Sequence, residues 1–125
     1  MISATPYAQL LGIGDWMDSD GSTGLVLRAS SQLEGREGFL YGGVIASLLE
    51  LACLEAVSRE LDDPGRRPKP INMTYDFLRG GRMVDCYAKA RVVRIGKRVV
   101  NADATCWQSD AQVPIATGRM HLLLA

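Results

Sequence analysis

The sequence predicts a single α+β domain in which one long helix is followed by a run of antiparallel strands. The chain has 125 residues, the size of one domain, so we expect one domain spanning residues 1–125. Apolar residues follow a long helical pattern in one place only, between residues 44 and 61. From residue 71 onward they alternate with polar residues in several runs separated by turns, as in a sheet with one covered face.

The segments before the long helix are short. Residues 6–14 resemble a short helix, residues 15–24 are rich in Asp, Ser and Gly and predict a turn region, and residues 25–29 predict a first strand. A glycine-rich piece, residues 35–43, then leads into the helix predicted for residues 44–61. This helix is expected to end before the turn at residues 62–65.

The second half of the chain predicts four strands. In the first, Ile71, Met73, Tyr75 and Phe77 alternate with polar residues, which predicts one covered face. The other three are predicted at residues 83–94, 98–108 and 113–124, with turns at residues 80–81, 95–97 and 109–110.

Composition and charge narrow the classes of function. Apolar residues make up 47% of the chain and charged residues 22%, which is typical of a protein that buries a core. Fourteen basic residues balance fourteen acidic ones, so no net charge attracts nucleic acid or an anionic membrane. The first residues lack the pattern of a signal peptide, and no apolar stretch approaches the roughly 20 residues of a membrane span. We therefore expect a cytoplasmic protein with neither a nucleic-acid nor a membrane partner.

Metal-binding patterns are weak. Cys53, Cys86 and Cys106 form no close pair and lie in apolar or alternating runs, which predicts buried free thiols. The chain has one histidine, His121, so a zinc site is not expected. The acidic run at residues 18–21 resembles the start of a calcium loop, but Ala29 stands where such a loop needs a bidentate carboxylate.

Glu50 is the one charged residue in the first three turns of the long helix. These turns are apolar nearly all round, which predicts a helix surrounded by protein, where an ionised carboxylate is costly unless it is paired, hydrated or used. Its neighbours on the helix surface are mostly small, and include Gly43, Ala46 and Ser47, so a ligand or a second subunit could approach closely. Glu50 is therefore either a chemical group in a site or a structural anchor at a subunit interface.

Glu55 provides a contrast on the same helix. It has Arg59 four residues later, in the favourable order for a helical ion pair. It also belongs to the polar second half of the helix, so we predict a solvated ion pair without a chemical role.

Gly42 and Gly43 directly precede the predicted helix. The unpaired backbone amides of a helix N-terminus can bind an anion or a polarised carbonyl oxygen, and glycine leaves them uncovered. A plain glycine turn is the alternative interpretation.

Three segments together resemble the hotdog-fold thioesterase superfamily, including the phenylacetate-pathway and 4-hydroxybenzoyl-CoA thioesterases. The segment from Leu40 to Glu50, LYGGVIASLLE, is similar to a His-Gly-Gly segment followed by a carboxylate nine positions after the histidine. Downstream, residues 72–79, NMTYDFLR, and residues 91–98, RVVRIGKR, resemble a strand ending in Phe-Leu-Arg-Pro and a hairpin with Gly-Lys or Gly-Arg. The resemblance extends from about Leu10 to the C-terminus.

The resemblance implies a single hotdog domain, with the antiparallel sheet wrapped around the long helix, and acyl-CoA thioester hydrolysis. Glu50 would be the general base or nucleophile, and the Gly42 amide would polarise the thioester carbonyl. It also implies a homodimer, or a dimer of dimers, with sites at the subunit interface. Coenzyme A would enter as part of the substrate, with no separate cofactor.

Further substrate contacts are expected around these residues. Tyr41, Gly43 and Ser47 lie close to them in sequence or on the helix surface. Phosphates of coenzyme A are expected to meet a basic cluster near strand ends, unless those residues are simply solvated: Arg79, Arg94, Lys97 and Arg98. Gly96, in the same turn as Lys97, is expected to contact the substrate as well. Phe77 and Leu78 are expected to pack in the core or to line the acyl pocket.

Two positions depart from the family pattern. Tyr41 stands in place of the histidine, and Gly35 in place of the Asn or Gln that many members carry six residues earlier. Tyr41 either packs, with its hydroxyl finding a partner, or takes a direct role. A weakly active or silent protein that binds acyl-CoA, or an accessory subunit, is therefore the alternative function. A hydratase or dehydratase is a third, although those chemistries rely on a site histidine. The acyl chain, and the choice between coenzyme A and an acyl carrier protein, stay open.

Overall fold

The computed structural model describes residues 1–63 and 65–124. Two helices, α1 and α2, and six strands, β1 to β6, form the fold. In chain order they are α1 (Pro6–Leu11), β1 (Ile13–Met17), β2 (Thr23–Leu27), α2 (Gly42–Leu61), β3 (Lys69–Phe77), β4 (Cys86–Ile95), β5 (Val99–Trp107) and β6 (Ala116–Leu123). Pro64 in the predicted turn and Ala125 at the end of the predicted domain lie outside the described residues.

The six strands form one antiparallel sheet in the order β1-β2-β4-β5-β6-β3, and the long helix α2 packs against it. This is the predicted α+β architecture, a single hotdog domain. Because β3 and β5 both run antiparallel to β6, the ends of β3 and β5 lie together beside Ala116 at the start of β6. The turn between β4 and β5 lies at the opposite end of the sheet.

Small side chains bring α2 close to the sheet. Ala88 on β4 and Ala102 and Ala104 on β5 are buried in the core with Leu48 and Leu49 of α2. Cys53, Cys86 and Cys106 are also buried and free, as predicted. Among the described residues, no helix is long and apolar enough to cross a membrane.

The region predicted as one long turn contains a strand instead. β1 covers residues 13–17 and pairs with β2, so the turn is confined to residues 18–22, where the Asp18 amide donates to the Ser22 carbonyl. The preceding helix ends at Leu11, because Gly12 adopts a left-handed conformation with φ of 76°. Trp16 packs against Tyr87 and Trp107, and this tertiary contact supports a strand whose sequence is rich in turn-forming residues.

The long helix agrees with its predicted bounds within two residues, but it is not surrounded by protein. A strip along α2 is exposed or only half-buried: Gly43, Ala46, Ser47, Glu50 and Leu54. The strip stays open because β3, the strand on that side, is at the edge of the sheet and touches α2 at few points. Glu50 is therefore half-buried, and the prediction of an apolar enclosure around it is wrong for the single chain.

Glu55 is also placed differently from the prediction. Its ion pair with Arg59 is confirmed, with 3.1 Å between Arg59 Nε and Glu55 Oε1, but Glu55 is only 8% exposed. The Ile2 amide donates a hydrogen bond of 3.1 Å to its other carboxylate oxygen. The N-terminal segment covers Glu55, which sequence spacing within the helix does not reveal.

We predict that Glu55→Gln lowers the free energy of unfolding by about 1–3 kcal/mol, because a buried acceptor of two hydrogen bonds loses its charge. Urea denaturation followed by circular dichroism measures the change. Glu60→Gln is the matched control, since Glu60 is exposed on the same helix and should alter stability by less than about 0.5 kcal/mol. Equal effects of the two substitutions would contradict the structural role of Glu55.

Candidate active site

The N-terminus of α2 presents two free backbone amides. The Val44 and Ile45 amides donate to the Tyr41 carbonyl at 3.0 and 3.3 Å, whereas the amides of Gly42 and Gly43 have no acceptor among the described residues. The Tyr41 side chain does not cap the helix. Two donors at the positive end of a helix can therefore bind a carbonyl oxygen that is gaining negative charge.

A cavity of about 490 Å3 lies beside these amides. Tyr41, Gly42, Phe77, Leu78 and Arg79 are among the residues that line it. Phe77 is 55% exposed and Leu78 51% exposed, so neither packs in the core of the single chain. Their exposure follows from their position at the end of the edge strand β3, and they form part of the cavity wall.

The Tyr41 ring explains why glycine occurs at two nearby positions. A Cβ atom on Gly43 would lie 2.7 Å from Tyr41 Cε2, and one on Gly35 would lie 3.0 Å from both Cα and Cδ1 of Tyr41. The ring thus covers Gly43 and fills the space beside Gly35. The two departures from the family pattern, at positions 35 and 41, are therefore physically coupled.

Tyr41 packs against these two glycines on one side only. It is 61% exposed, and its hydroxyl has no hydrogen-bond partner among residues 1–63 and 65–124.

Two arginines that sequence reasoning missed lie near the cavity. The guanidinium groups of Arg36 and Arg82 lie 4.4 and 4.8 Å from the ring centroid of Phe39. Arg36 and Phe39 are three residues apart, which is a usable sequence signal, but Arg82 reaches the ring only through the fold. Arg79 donates to the Pro114 carbonyl, so its guanidinium is tied to a loop at the same end of the sheet.

Glu50 lies on the open strip of α2, and its carboxylate makes no hydrogen bond or ion pair with the described residues of its own chain. Close to it, the hydroxyls of Tyr7 and Ser47 are hydrogen-bonded at 2.8 Å, and Ser47 donates to the Gly43 carbonyl at 3.0 Å. Tyr7 was missed by sequence reasoning, because it reaches α2 from the separate helix α1.

The charge on Glu50 affects two neighbouring groups. Burial raises the pKa of the Cys53 thiol to about 12, and the negative charges of Asp103 and Glu50 add to the rise. Burial also raises the pKa of Tyr75, and the negative charge of Glu50 raises this pKa further. Cys53 and Tyr75 are therefore uncharged near neutral pH.

Gly42 and Glu50 of one chain are too far apart to act on one thioester carbonyl. Eight residues along a helix at 1.5 Å each separate them by about 12 Å. A nucleophile or general base and an oxyanion donor must both lie within a few ångströms of the same carbonyl group. Within one chain, the Gly42 amide and the Glu50 carboxylate therefore cannot act on the same carbonyl group.

The predicted basic cluster is divided in the single chain. Arg94, Gly96, Lys97 and Arg98 line a groove of about 520 Å3 at the turn between β4 and β5. Arg79 follows β3 at the opposite end of the sheet, about 30 Å away by the length of a nine-residue strand. The prediction of one cluster is wrong within one chain, because the strand directions separate residues that sequence alone placed at strand ends.

His121 takes no part in this region. Its Nδ1 lies 2.7 Å from Asn72 Oδ1 on the polar face of the sheet, opposite the core. The hydratase interpretation therefore has no histidine near Glu50 to support it. Among the described residues, no three His, Cys, Asp or Glu side chains come together as they would around a metal ion.

Comparison with known families identifies the group to which the chain belongs. Residues 37–115, which include Gly42, Glu50 and the basic hairpin, match the family model described as Thioesterase superfamily. The chain belongs to the thioesterase superfamily. The resemblance inferred from the segment between Leu40 and Glu50 is thereby confirmed. No curated protein sequence matches the chain.

Solved structures show the same fold. A Bacillus halodurans protein crystallised with CoA is 21% identical, with 98% of this chain and 80% of that chain covered and a TM-score of 0.87. A Chromobacterium violaceum protein is 28% identical, with 99% and 86% covered and a TM-score of 0.79. A phenylacetic acid degradation-related protein from Ralstonia eutropha is 22% identical, with 95% and 90% covered and a TM-score of 0.83.

Proposed function

We propose that this thioesterase-superfamily protein hydrolyses an acyl-CoA thioester, with Glu50 as general base or nucleophile. The observation that carries the proposal is the carboxylate of Glu50, which lies half-buried and without a partner on the open strip of α2. A carboxylate in that position can accept a proton or attack a carbonyl carbon. The cytoplasmic location and the absence of a separate cofactor stay predictions.

Hydrolysis needs a proton acceptor and a stabilised oxyanion. With Glu50 as base, the water oxygen attacks the carbonyl carbon while one water proton moves to Glu50. The carbonyl electron pair moves onto oxygen, where the Gly42 amide hydrogen-bonds it. The C–S bond then breaks, the CoA thiolate takes the proton from Glu50, and a carboxylic acid and a free thiol leave. With Glu50 as nucleophile, its carboxylate attacks the carbonyl carbon and expels the CoA thiolate, which leaves a mixed anhydride on Glu50. Water then cleaves the anhydride to a carboxylic acid and the free Glu50 carboxylate, and the remaining water proton passes to the thiolate.

A second copy of the chain completes this site in our proposal. Because Gly42 and Glu50 of one chain are about 12 Å apart along α2, the oxyanion donor comes from the partner. Exposed apolar side chains around the open strip and the β3 edge support a homodimer: Tyr7, Tyr41, Ile71, Phe77 and Leu78. Pairing of dimers into a tetramer is a further expectation.

A homodimer with two-fold symmetry would also let the two separated groups of basic residues bind one coenzyme A molecule. If β3 pairs antiparallel with the β3 of a second copy, opposite ends of the two sheets come together. Arg79 of one copy then lies at the same end as Arg94, Lys97 and Arg98 of the other, where they can meet the phosphates of coenzyme A. The CoA bound to the Bacillus halodurans relative supports this choice of ligand.

A second candidate function is acyl-CoA binding without turnover, in a binding or accessory subunit. One observation favours it: Gly35 and Tyr41 stand where the family pattern has an amide and a histidine, and the Tyr41 ring fills the space beside Gly35. Thiol release from a panel of acyl-CoA esters separates the two functions and reports the preferred acyl chain.

We expect Glu50→Gln to lower turnover by about 100-fold or more without unfolding the protein, because it removes the charge but keeps the size of the side chain. Gly42→Pro should lower turnover by about 100- to 1000-fold, because it removes the amide donor. Proline is tolerated at the first position of a helix, and Tyr41 has the extended backbone that precedes proline, with φ of −63° and ψ of 134°.

Gly42→Ala is the matched control, since it keeps the amide and its Cβ would meet only Phe77, at 3.8 Å. Free-thiol release measures all three variants. Unchanged turnover in a folded Glu50→Gln protein would contradict the catalytic role of Glu50. Equal losses in Gly42→Pro and Gly42→Ala would remove the amide from the site.

We also expect the two inactive chains to complement each other. Co-expressed Glu50→Gln and Gly42→Pro chains form mixed dimers, in which one of the two sites has both native groups. Statistical mixing should restore about one quarter of the wild-type turnover. Light scattering should show a dimer or larger assembly of the 13.6 kDa chain. A monomer at micromolar concentration, or no recovery in proven mixed dimers, would contradict a site shared between copies.

Coenzyme A recognition by the hairpin predicts a selective effect on KM. Replacing Arg94, Lys97 and Arg98 together by Ala should raise KM for acyl-CoA by about 10-fold or more and leave KM for a truncated pantetheine thioester unchanged, because only the former carries the remote phosphates. Arg119→Ala, at an exposed position in the middle of β6, is the control for a simple loss of charge. Equal shifts with both substrates would exclude the hairpin from phosphate binding.

A further inference from the structure

Helix α1 holds Tyr7 against the open strip of α2. Thr5 caps this helix by accepting a hydrogen bond from the Ala8 amide, and the Ile2 amide ties the preceding residues to the buried carboxylate of Glu55. The Tyr7 hydroxyl then meets Ser47 at 2.8 Å. Tyr7 is thus held against Ser47, and Ser47 lies three positions before Glu50 on α2.

Either hydroxyl can donate in the contact between Tyr7 and Ser47. Ser47 has one proton, and it donates that proton to the Gly43 carbonyl at 3.0 Å. We assign the proton in this contact to Tyr7, because Ser47 then keeps its own proton on the Gly43 carbonyl. The Tyr7 oxygen, with its own proton committed, can only accept further hydrogen bonds.

Glu50 and Tyr7 are consequently two acceptors on one side of α2. Residues three apart on a helix have Cβ atoms about 5–6 Å apart, and the Glu50 side chain points back toward the turn that carries Ser47. One water that donates to both acceptors through hydrogen bonds of about 2.8 Å joins oxygen atoms about 4.5 Å apart, and the Tyr7 and Glu50 side chains meet this requirement in our proposal. A water that donates one proton to Glu50 and the other to Tyr7 directs its lone pairs away from both acceptors.

We infer that the Tyr7 phenol oxygen is the second acceptor of the attacking water and orients it for abstraction of a proton by Glu50. The inference rests on the proposed thioesterase function and assigns Glu50 the role of general base. The water oxygen forms the new bond to the carbonyl carbon, one proton passes to Glu50, and the other stays on oxygen and is held by Tyr7. The C–S bond breaks as before, and the thiolate takes the proton from Glu50.

This role would compensate for what positions 35 and 41 lack. Gly35 offers no amide, and the Tyr41 ring occupies the space beside it. Tyr7 supplies a neutral oxygen from another element, beside the same carboxylate. Tyr75, whose pKa is raised by burial and by the charge of Glu50, is a weaker candidate because no hydrogen bond fixes its hydroxyl among the described residues.

Tyr7→Phe tests the inference, because it keeps the ring and removes only the oxygen. We expect kcat for the best acyl-CoA ester to fall by about 10- to 100-fold, with KM within twofold of the wild-type value. Tyr87→Phe is the matched control. Tyr87 lies with Trp16 and Trp107 on the sheet face away from α2, and its loss should leave both constants unchanged. Circular dichroism and light scattering establish that each variant is folded and assembled.

A double-mutant cycle separates water positioning from a structural effect. If Tyr7 acts only on water that Glu50 activates, adding Tyr7→Phe to Glu50→Gln should cause no further loss of kcat. A further 10-fold loss would overturn the inference, and so would a loss that appears in KM alone. If Tyr7→Phe does not fold, Ser47→Ala replaces it, because it removes the acceptor that fixes the Tyr7 proton and should cause the same loss of kcat.

The outcomes also separate this inference from the proposed function. A wild-type protein that releases no thiol from any acyl-CoA overturns both. An active wild type that is inactivated by Glu50→Gln but keeps its kcat in Tyr7→Phe overturns the role of Tyr7 alone.

Discussion

The close approach of α2 to the strands is the constraint on which the rest of the structure depends. Ala88, Ala102 and Ala104 present only methyl groups to the core, so the helix lies near the sheet backbone. Gly118 on β6 continues this surface, since a Cβ there would lie 2.6 Å from Met73 Cε and 3.5 Å from Leu49 Cβ. Larger residues would push the helix outward and shift every group attached to it.

With the helix fixed, both chemical groups have fixed positions. The free amides of Gly42 and Gly43 are held at one end of a cavity, and the carboxylate of Glu50 is held two turns away on the uncovered strip. A rigid helix cannot bring these two positions together by bending. The same helix that orders these two positions also keeps them about 12 Å apart.

Sequence periodicity predicted the elements that carry a regular apolar pattern of their own. The long helix and the four later strands carry regular apolar patterns, and their observed bounds lie within a few residues of the predicted ones. β1 was missed, because its turn-forming composition is outweighed by the packing of Trp16 on Tyr87. The burial of Glu55 was missed for a similar reason, since the covering segment is 53 residues away.

Some residues of the candidate site can be recognised in the sequence, and others can be recognised only in the folded chain. Glu50, Gly42 and Tyr41 are recognisable by spacing within one segment, so the sequence reveals them. Tyr7 is 40 residues from its partner Ser47, and no pattern links the two. The basic residues were identified by type, but their separation depends on strand direction, which only the topology of the sheet determines.

The contact between positions 35 and 41 has a consequence for how this chain could change by substitution. A Cβ on Gly35 would lie 3.0 Å from the backbone Cα of Tyr41 as well as from its ring. Replacing Tyr41 alone would therefore not make room for a side chain at position 35. The loop backbone would also have to move, and the Gly35 amide now donates to the Phe39 carbonyl at 2.9 Å within that loop. A side chain at position 35 therefore needs both a turn of the exposed Tyr41 ring and a shift of the loop backbone by a few tenths of an ångström.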